Sequence, residues 1–116
     1  MPTVKCKRVY DPVEAADGYR VLADRLWPRG ISRVKAALDL WAKDVAPSNE
    51  LRQWYGHRDE RWAEFQRRYK DELKQQPGAD ALSQLRAIAR RRNVTLLTAT
   101  RAEFRSHLIV LQALLG

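Results

Sequence analysis

The chain has 116 residues, 45% of them hydrophobic, which suits one domain with one core and leaves nothing for a second. Twenty-two Lys and Arg against fourteen acids give a net charge of +8 and a pI near 10.1, favouring an anionic partner such as a nucleotide, a nucleic acid or a phosphorylated metabolite, although a solvated basic surface carries the same charge. Cys6 is the only cysteine, which argues against an intrachain disulfide and a cysteine-based zinc site, and the longest apolar run, 108–115, is interrupted by Gln112 and too short for a bilayer span or a signal, so a cytoplasmic location is expected.

In chain order, 3–10 is rich in Val and Tyr and stops at Asp11-Pro12, which predicts a strand and a turn. Gly18 opens a second extended run, 19–26, ending before Pro28. Ser32 is placed to cap a short helix over 33–37. The alternation of Leu38, Leu40 and Ala42 against Asp39, Trp41 and Lys43 predicts a third strand over 38–45. A helix is expected from Pro47-Ser48 to Tyr55, closed by Gly56.

The second half is more strongly patterned. Between 59 and 76, Trp62, Phe65, Tyr69 and Leu73 recur at helical spacing, a stripe that core packing explains without a ligand. After the break at Pro77-Gly78, residues 80–92 carry Leu82, Leu85, Ile88 and Ala89 on one face of another helix. The apolar run 94–99 reads as a strand buried on both faces. Thr100 and Glu103 have the spacing of a capping box, predicting a last helix to Leu115 with almost no loop before it.

This order predicts an α/β domain over 1–116, with a mostly parallel sheet of about four strands and helices on both faces. Parallel strands share one carboxyl edge, where open α/β sheets bind ligands. The residues expected there are Asp11, Asp24-Arg25, the turn from Trp27 to Gly30, Lys43-Asp44 and Thr100-Arg101. Arg side chains beside a turn with free N–H groups and a helix start at Ser32 suit phosphate or carboxylate. Three plainer readings stay open: Arg25–Asp24 and Lys43–Asp44 as salt bridges, Trp27 and Trp41 as buried anchors, and Pro28-Arg29-Gly30 as a tight turn.

Two histidines are site candidates, His57 for proton transfer and His107 for ligand binding. His57 lies between two predicted helices among Trp54, Tyr55 and Trp62, where a neutral imidazole can act as acid or base, or simply close the joint. His107, in the last predicted helix, is placed either to face the rim or to pack inside beside Phe104 and Leu108. Metal-ligand spacing, G-x-S-x-G, a P-loop and G-x-G-x-x-G are all missing, so nucleophilic catalysis lacks an actor.

The runs 18–73 and 94–111, with Asp24, Arg25, Trp27, Pro28, Arg29, Gly30, Trp41, Lys43, Asp44, Pro47, Ser48, Trp54, His57 and Trp62, resemble the YeaO-like branch of the domain of unknown function 488 family. The resemblance covers nearly the whole chain and implies a compact α/β domain of bacterial and archaeal cytoplasm, with no established activity to carry over. Other branches have cysteines after the last strand, in a C-A-E then C-H-R arrangement; 98–107 has none here, so their thiolate or metal chemistry does not transfer, and His107 is the element that persists.

The favoured expectation is an anionic small molecule, a nucleotide or phosphorylated metabolite, held by Arg25, Trp27, Arg29, Gly30, Lys43, Arg101 and His107, with Asp44 or His57 available for acid–base chemistry and no metal or cofactor. The alternative is a nucleic-acid-binding or regulatory module using the basic helices around Arg67-Arg68 and Arg90 to Arg92, although no helix-turn-helix reading head is evident and arginines at a helix carboxyl end also suit the dipole. A third reading makes the apolar last helix a partner-binding surface.

Overall fold

A computed structural model describes residues 2–101 and 105–116. Its sheet has four strands, β1 (Val4–Arg8), β2 (Tyr19–Leu22), β3 (Leu40–Trp41) and β4 (Val94–Thr98), in the order β1-β4-β2-β3. Every pairing is parallel. Among the described residues five α-helices accompany it: α1 (Arg33–Ala36), α2 (Asn49–Tyr55), α3 (Trp62–Glu72), α4 (Gly78–Ala89) and α5 (His107–Leu115). The fold is α/β, as the sequence predicts.

The two faces of the sheet are covered unequally. Val21, Val94 and Leu96 face the main core, which α2 to α5 complete with Leu51, Tyr55, Phe65, Tyr69, Leu85, Leu108 and Leu111. The aromatic stripe of α3 lies inside this core, where Phe65 stacks on Tyr55 at 4.4 Å between centroids. Each such side chain contributes about 2–3 kcal/mol through burial. Leu22 and Leu97 point the other way and form a smaller cluster with Val9 and Ala36 of α1, with Trp27, Ile31, Leu38, Trp41 and Ala99 at its margin.

The amino-terminal half of that second face is polar. Buried Arg20 donates to the Ala36 carbonyl at 2.9 Å and the Ala37 carbonyl at 3.2 Å, and pairs with buried Asp17. Lys7 Nζ lies 2.9 Å from the same carboxylate, and Thr95 Oγ1 donates to the Asp17 carbonyl at 2.7 Å. Burial would raise the Asp17 pKa, but the bonds from Lys7, the Glu14 amide and Arg20 win and lower it to about 2. Gly18 makes this corner possible: its φ is +65°, and a Cβ there would meet the Asn93 carbonyl at 2.4 Å.

Several element boundaries differ from the sequence reading. The third strand pairs only over Leu40–Trp41, because its neighbour β2 ends at Leu22; the Ala42 amide closes the ladder on the Leu22 carbonyl, and Lys43–Val45 winds into a 3-10 turn. Residues Asp59–Arg61 form a 3-10 turn before α3, and α3 stops at Glu72. The last helix begins at His107, capped by Ser106, whose Oγ accepts from the Leu108 amide at 3.2 Å. The capping box read on Thr100 and Glu103 involves a residue outside those described; of the segment before α5, the described Ala99, Thr100 and Arg101 are not helical.

Candidate functional site

The carboxyl ends of β1, β2 and β4 open onto one cavity of about 490 Å³, lined by Tyr10, Asp24, Leu26 to Arg29, Arg52, Gln53, His57, Ala99 and Thr100. Its floor is Asp24, two residues past β2 and 9% exposed. Asp24 Oδ1 accepts from Thr98 Oγ1 at 2.7 Å and lies 3.3 Å from His107 Nε2, while Oδ2 accepts from the Ala99 amide at 2.8 Å. The side chain therefore ties the ends of β2 and β4 to α5. Hydrogen bonds to a charged group contribute about 1.5–3 kcal/mol each. Burial pushes the Asp24 pKa up, but the hydrogen bond and charge of His107, with Ala99 and Thr98, outweigh it and hold the carboxyl below its ordinary range. His107 Nε2 is also 2.7 Å from the Ala23 carbonyl, which can only accept, so this ring nitrogen carries the proton.

One wall is the turn ADRLWPRG, and its tryptophan explains its shape. Trp27 Nε1 donates to the Ile31 carbonyl at 2.8 Å, and its ring meets Trp41 edge-on at 5.2 Å. Trp41 Nε1 in turn donates to the Asp24 carbonyl at 2.7 Å. Arg33 lies over the Trp27 ring and Lys43 over Trp41, at 4.7 and 4.2 Å. Pro28 is buried, Gly30 turns the chain at φ +74°, and Tyr10 Oη donates to the Arg29 carbonyl at 2.7 Å. The turn is thus pinned on both sides of Arg29, while the Arg29 side chain stays exposed at the cavity.

The opposite wall comes from α2. Ser48 caps its start, accepting from the Leu51 amide while its own Oγ donates to Glu72 at 2.6 Å, and Gly56 ends it in the left-handed conformation. Leu51 and Tyr55, four apart, face the core, which turns Arg52 and Gln53 outward. His57 follows at φ +56°, an uncommon region for a residue with a Cβ, and leans on Tyr55 at 5.4 Å. Desolvation, then the charges of His107 and Arg52, lower its pKa. The imidazole at the rim is therefore neutral at pH 7. Among the described residues, neither Arg29 nor Arg52 has a side-chain hydrogen bond or ion pair, so two guanidinium groups face the opening above one buried carboxylate.

The residues expected at the site divide into three sets. Trp27, Arg29 and His57 line the cavity, with Gly30 beside them. His107 lies beneath it, buried against Asp24. Arg25, Lys43 and Asp44 do not line it. Arg25 Nε and Nη2 donate to the Pro47 and Ala46 carbonyls at 3.0 and 3.1 Å, holding the chain before α2. Lys43 and Asp44 sit past β3, the edge strand outside β2, and border separate clefts. Arg101 is exposed and is not among the described lining residues. The anticipated pairs Asp24–Arg25 and Lys43–Asp44 do not form: Asp24 takes His107, Arg25 takes carbonyls and Lys43 takes a tryptophan face. Thr100 lines the cavity as expected and Asp11 does not, while Tyr10, Arg52 and Gln53 are additions. The buried pair Leu51 and Tyr55 is the sequence signal that would have turned Arg52 and Gln53 outward. No group of three or more His, Cys, Asp or Glu able to hold a metal occurs among the described residues.

A family model described as "Inactive DUF488-N3 subclade" matches residues 3–116. The chain belongs to this subclade. Its relatives include the uncharacterized protein Rv3073c of Mycobacterium tuberculosis, 48% identical over 113 residues that make up 97% of this chain and 93% of the relative. The uncharacterized protein YeaO of Escherichia coli K12 is 43% identical over 108 residues, 93% of this chain and 92% of the relative. No solved structure matches. The YeaO-like kinship read from the Trp27 turn and its surroundings is therefore correct. Within this DUF488-N3 member, the sequence after β4, 99–116, contains no cysteine. No helix is long and apolar enough to cross a membrane among the described residues.

Proposed function

We propose that this domain binds an anionic small molecule, a nucleotide or phosphorylated metabolite, in the cavity at the strand carboxyl ends, and that it does so without turnover. The observation that carries the reading is the convergence of Arg29 and Arg52, both without a side-chain ion pair among the described residues, on one cavity of about 490 Å³ walled by Trp27 and Tyr10. That volume falls within the roughly 300–1,000 Å³ of small-molecule sites. Two observations favour binding over catalysis. Asp24, the one carboxylate lining the cavity among the described residues, already holds three partners, and the matching family model is described as inactive. Asp44, considered earlier for proton transfer, borders other clefts.

The nucleic-acid alternative draws on arginines that are largely committed elsewhere. Arg67 and Arg68 both pair with Glu64, and Arg92 lies over Tyr19 at 4.9 Å. Thermal unfolding in the presence of adenosine monophosphate, ribose 5-phosphate, inorganic phosphate and a short oligonucleotide, at physiological salt, tests both readings. Stabilisation by a phosphorylated small molecule that disappears in the Arg29→Met, Arg52→Met double variant supports the cavity. Stabilisation by the oligonucleotide alone, unchanged in that variant, overturns it.

A further inference from the structure

The floor of the cavity has the opposite charge to its rim. A site shaped for a bare oxyanion presents donors on every side, because sulfate and dianionic phosphate esters have only acceptors to offer. Here the buried polar side chain that lines the cavity is an acceptor. Asp24 is fixed by Thr98 Oγ1, the Ala99 amide and His107 Nε2, so it cannot swing aside to make way for an anion. An ionised carboxylate takes about four hydrogen bonds. Among the described residues Oδ1 accepts from Thr98 and lies 3.3 Å from His107 Nε2, whose N–H also serves the Ala23 carbonyl, while Oδ2 accepts only from the Ala99 amide, which leaves a position on Oδ2 in a residue that lines the cavity. A molecule reaching the floor gains by donating to that oxygen and is repelled if it brings only negative charge. Leu26, Trp27, Pro28 and Tyr10 supply apolar surface for its uncharged body.

We infer that Asp24 is a specificity-determining residue, which makes the cavity selective for phosphorylated compounds that also carry hydroxyl donors, the chemistry of sugar and nucleoside monophosphates, and turns away bare oxyanions. This inference rests on the anion-site reading and narrows it: the guanidinium groups of Arg29 and Arg52 hold the phosphate, and a hydroxyl of the ligand donates to Asp24 Oδ2.

Calorimetric titration of the full chain with ribose 5-phosphate and with tetrahydrofurfuryl phosphate, the same ring without its hydroxyls, separates the floor from the rim. Ribose 5-phosphate is expected to bind at least tenfold more tightly, with sulfate weaker than either. Asp24→Asn should shrink the preference to under threefold, chiefly by improving the binding of sulfate and the hydroxyl-free ester. Because that substitution also disturbs the bonds to Ala99 and His107, the ligand comparison on the unaltered protein stands as an independent test. Equal affinity for the two esters overturns the role of Asp24 while leaving the anion site in place. Failure of all three anions to bind removes the site itself, and the selectivity with it.

Discussion

His107 and Asp24 meet beneath the cavity, with Nε2 3.3 Å from Oδ1, and the same Nε2 reaches the Ala23 carbonyl at 2.7 Å. One imidazole thereby joins α5 to the end of β2 at a carboxylate that also bonds the end of β4. His107→Ala would leave Asp24 buried with one donor fewer and the Ala23 carbonyl without its partner. A loss of about 2 kcal/mol or more is expected in denaturant unfolding. His107→Gln, which can still donate one N–H, should recover part of it. A midpoint unchanged by the alanine variant would contradict the structural role of this pair.

The polar corner below α1 predicts how the fold responds to acid. The Asp17 pKa falls from 3.8 to about 2 on folding, so its contribution to stability is complete above about pH 4 and is lost as the pH falls through about 2. Unfolding free energy followed from pH 5 to pH 2 should decline, and Asp17→Asn should flatten that decline while lowering stability at pH 7. An Asn variant as acid-sensitive as the unaltered protein would show that the Lys7–Asp17–Arg20 group does not govern this limb.

Arg25 and Arg29 lie four residues apart, yet they have different roles. Arg25 is bonded to two carbonyls before α2, whereas the Arg29 side chain faces the cavity. Arg25→Met should cost about 1–3 kcal/mol of stability and leave anion affinity within about twofold. Arg29→Met should do the reverse. Paired unfolding and binding measurements check this, and a tenfold loss of affinity in a stably folded Arg25→Met variant would contradict it.

The outer edge of the cavity should respond to pH through His57. Its pKa is lowered by desolvation and by the charges of His107 and Arg52, so the ring is neutral at pH 7 and gains a proton only below its ordinary value near 6.5. One added positive charge at the rim strengthens anion binding by about 1 kcal/mol at an effective dielectric between protein and water. Glucose 6-sulfate, whose charge is constant across this range, should therefore bind more tightly at a pH low enough to protonate His57 than at pH 8. His57→Gln should abolish that difference; a variant that keeps it would assign the pH dependence to another group.

Much of this arrangement was legible in the chain itself. The four strands, the caps at Ser32 and Ser48, the Gly56 stop and the buried stripe of Phe65, Tyr69 and Leu73 all follow from local pattern. The ends of β3 and the start of α5 were not, because pairing length depends on where the neighbouring strand β2 stops, and Ser106 is as good a cap as Thr100 by local chemistry. The site was legible as a rim but not as a membership. Trp27, Arg29 and His57 converge as the topology suggests, whereas β3 is displaced to the sheet edge by the order β1-β4-β2-β3, which carries Lys43 and Asp44 away. Arg25 was lost to backbone carbonyls that no sequence pattern exposes.

The central claim is that the cavity between Arg29 and Arg52 is where this domain meets an anion. Amide chemical-shift mapping during titration with adenosine monophosphate at physiological salt tests it most directly. Progressive, saturable shifts confined to Arg29, Gln53, His57, Ala99 and Thr100, and lost in the Arg29→Met, Arg52→Met variant, are the predicted result. Shifts gathered instead on 90–92 at the end of α4, or no saturable shifts at all, would contradict it.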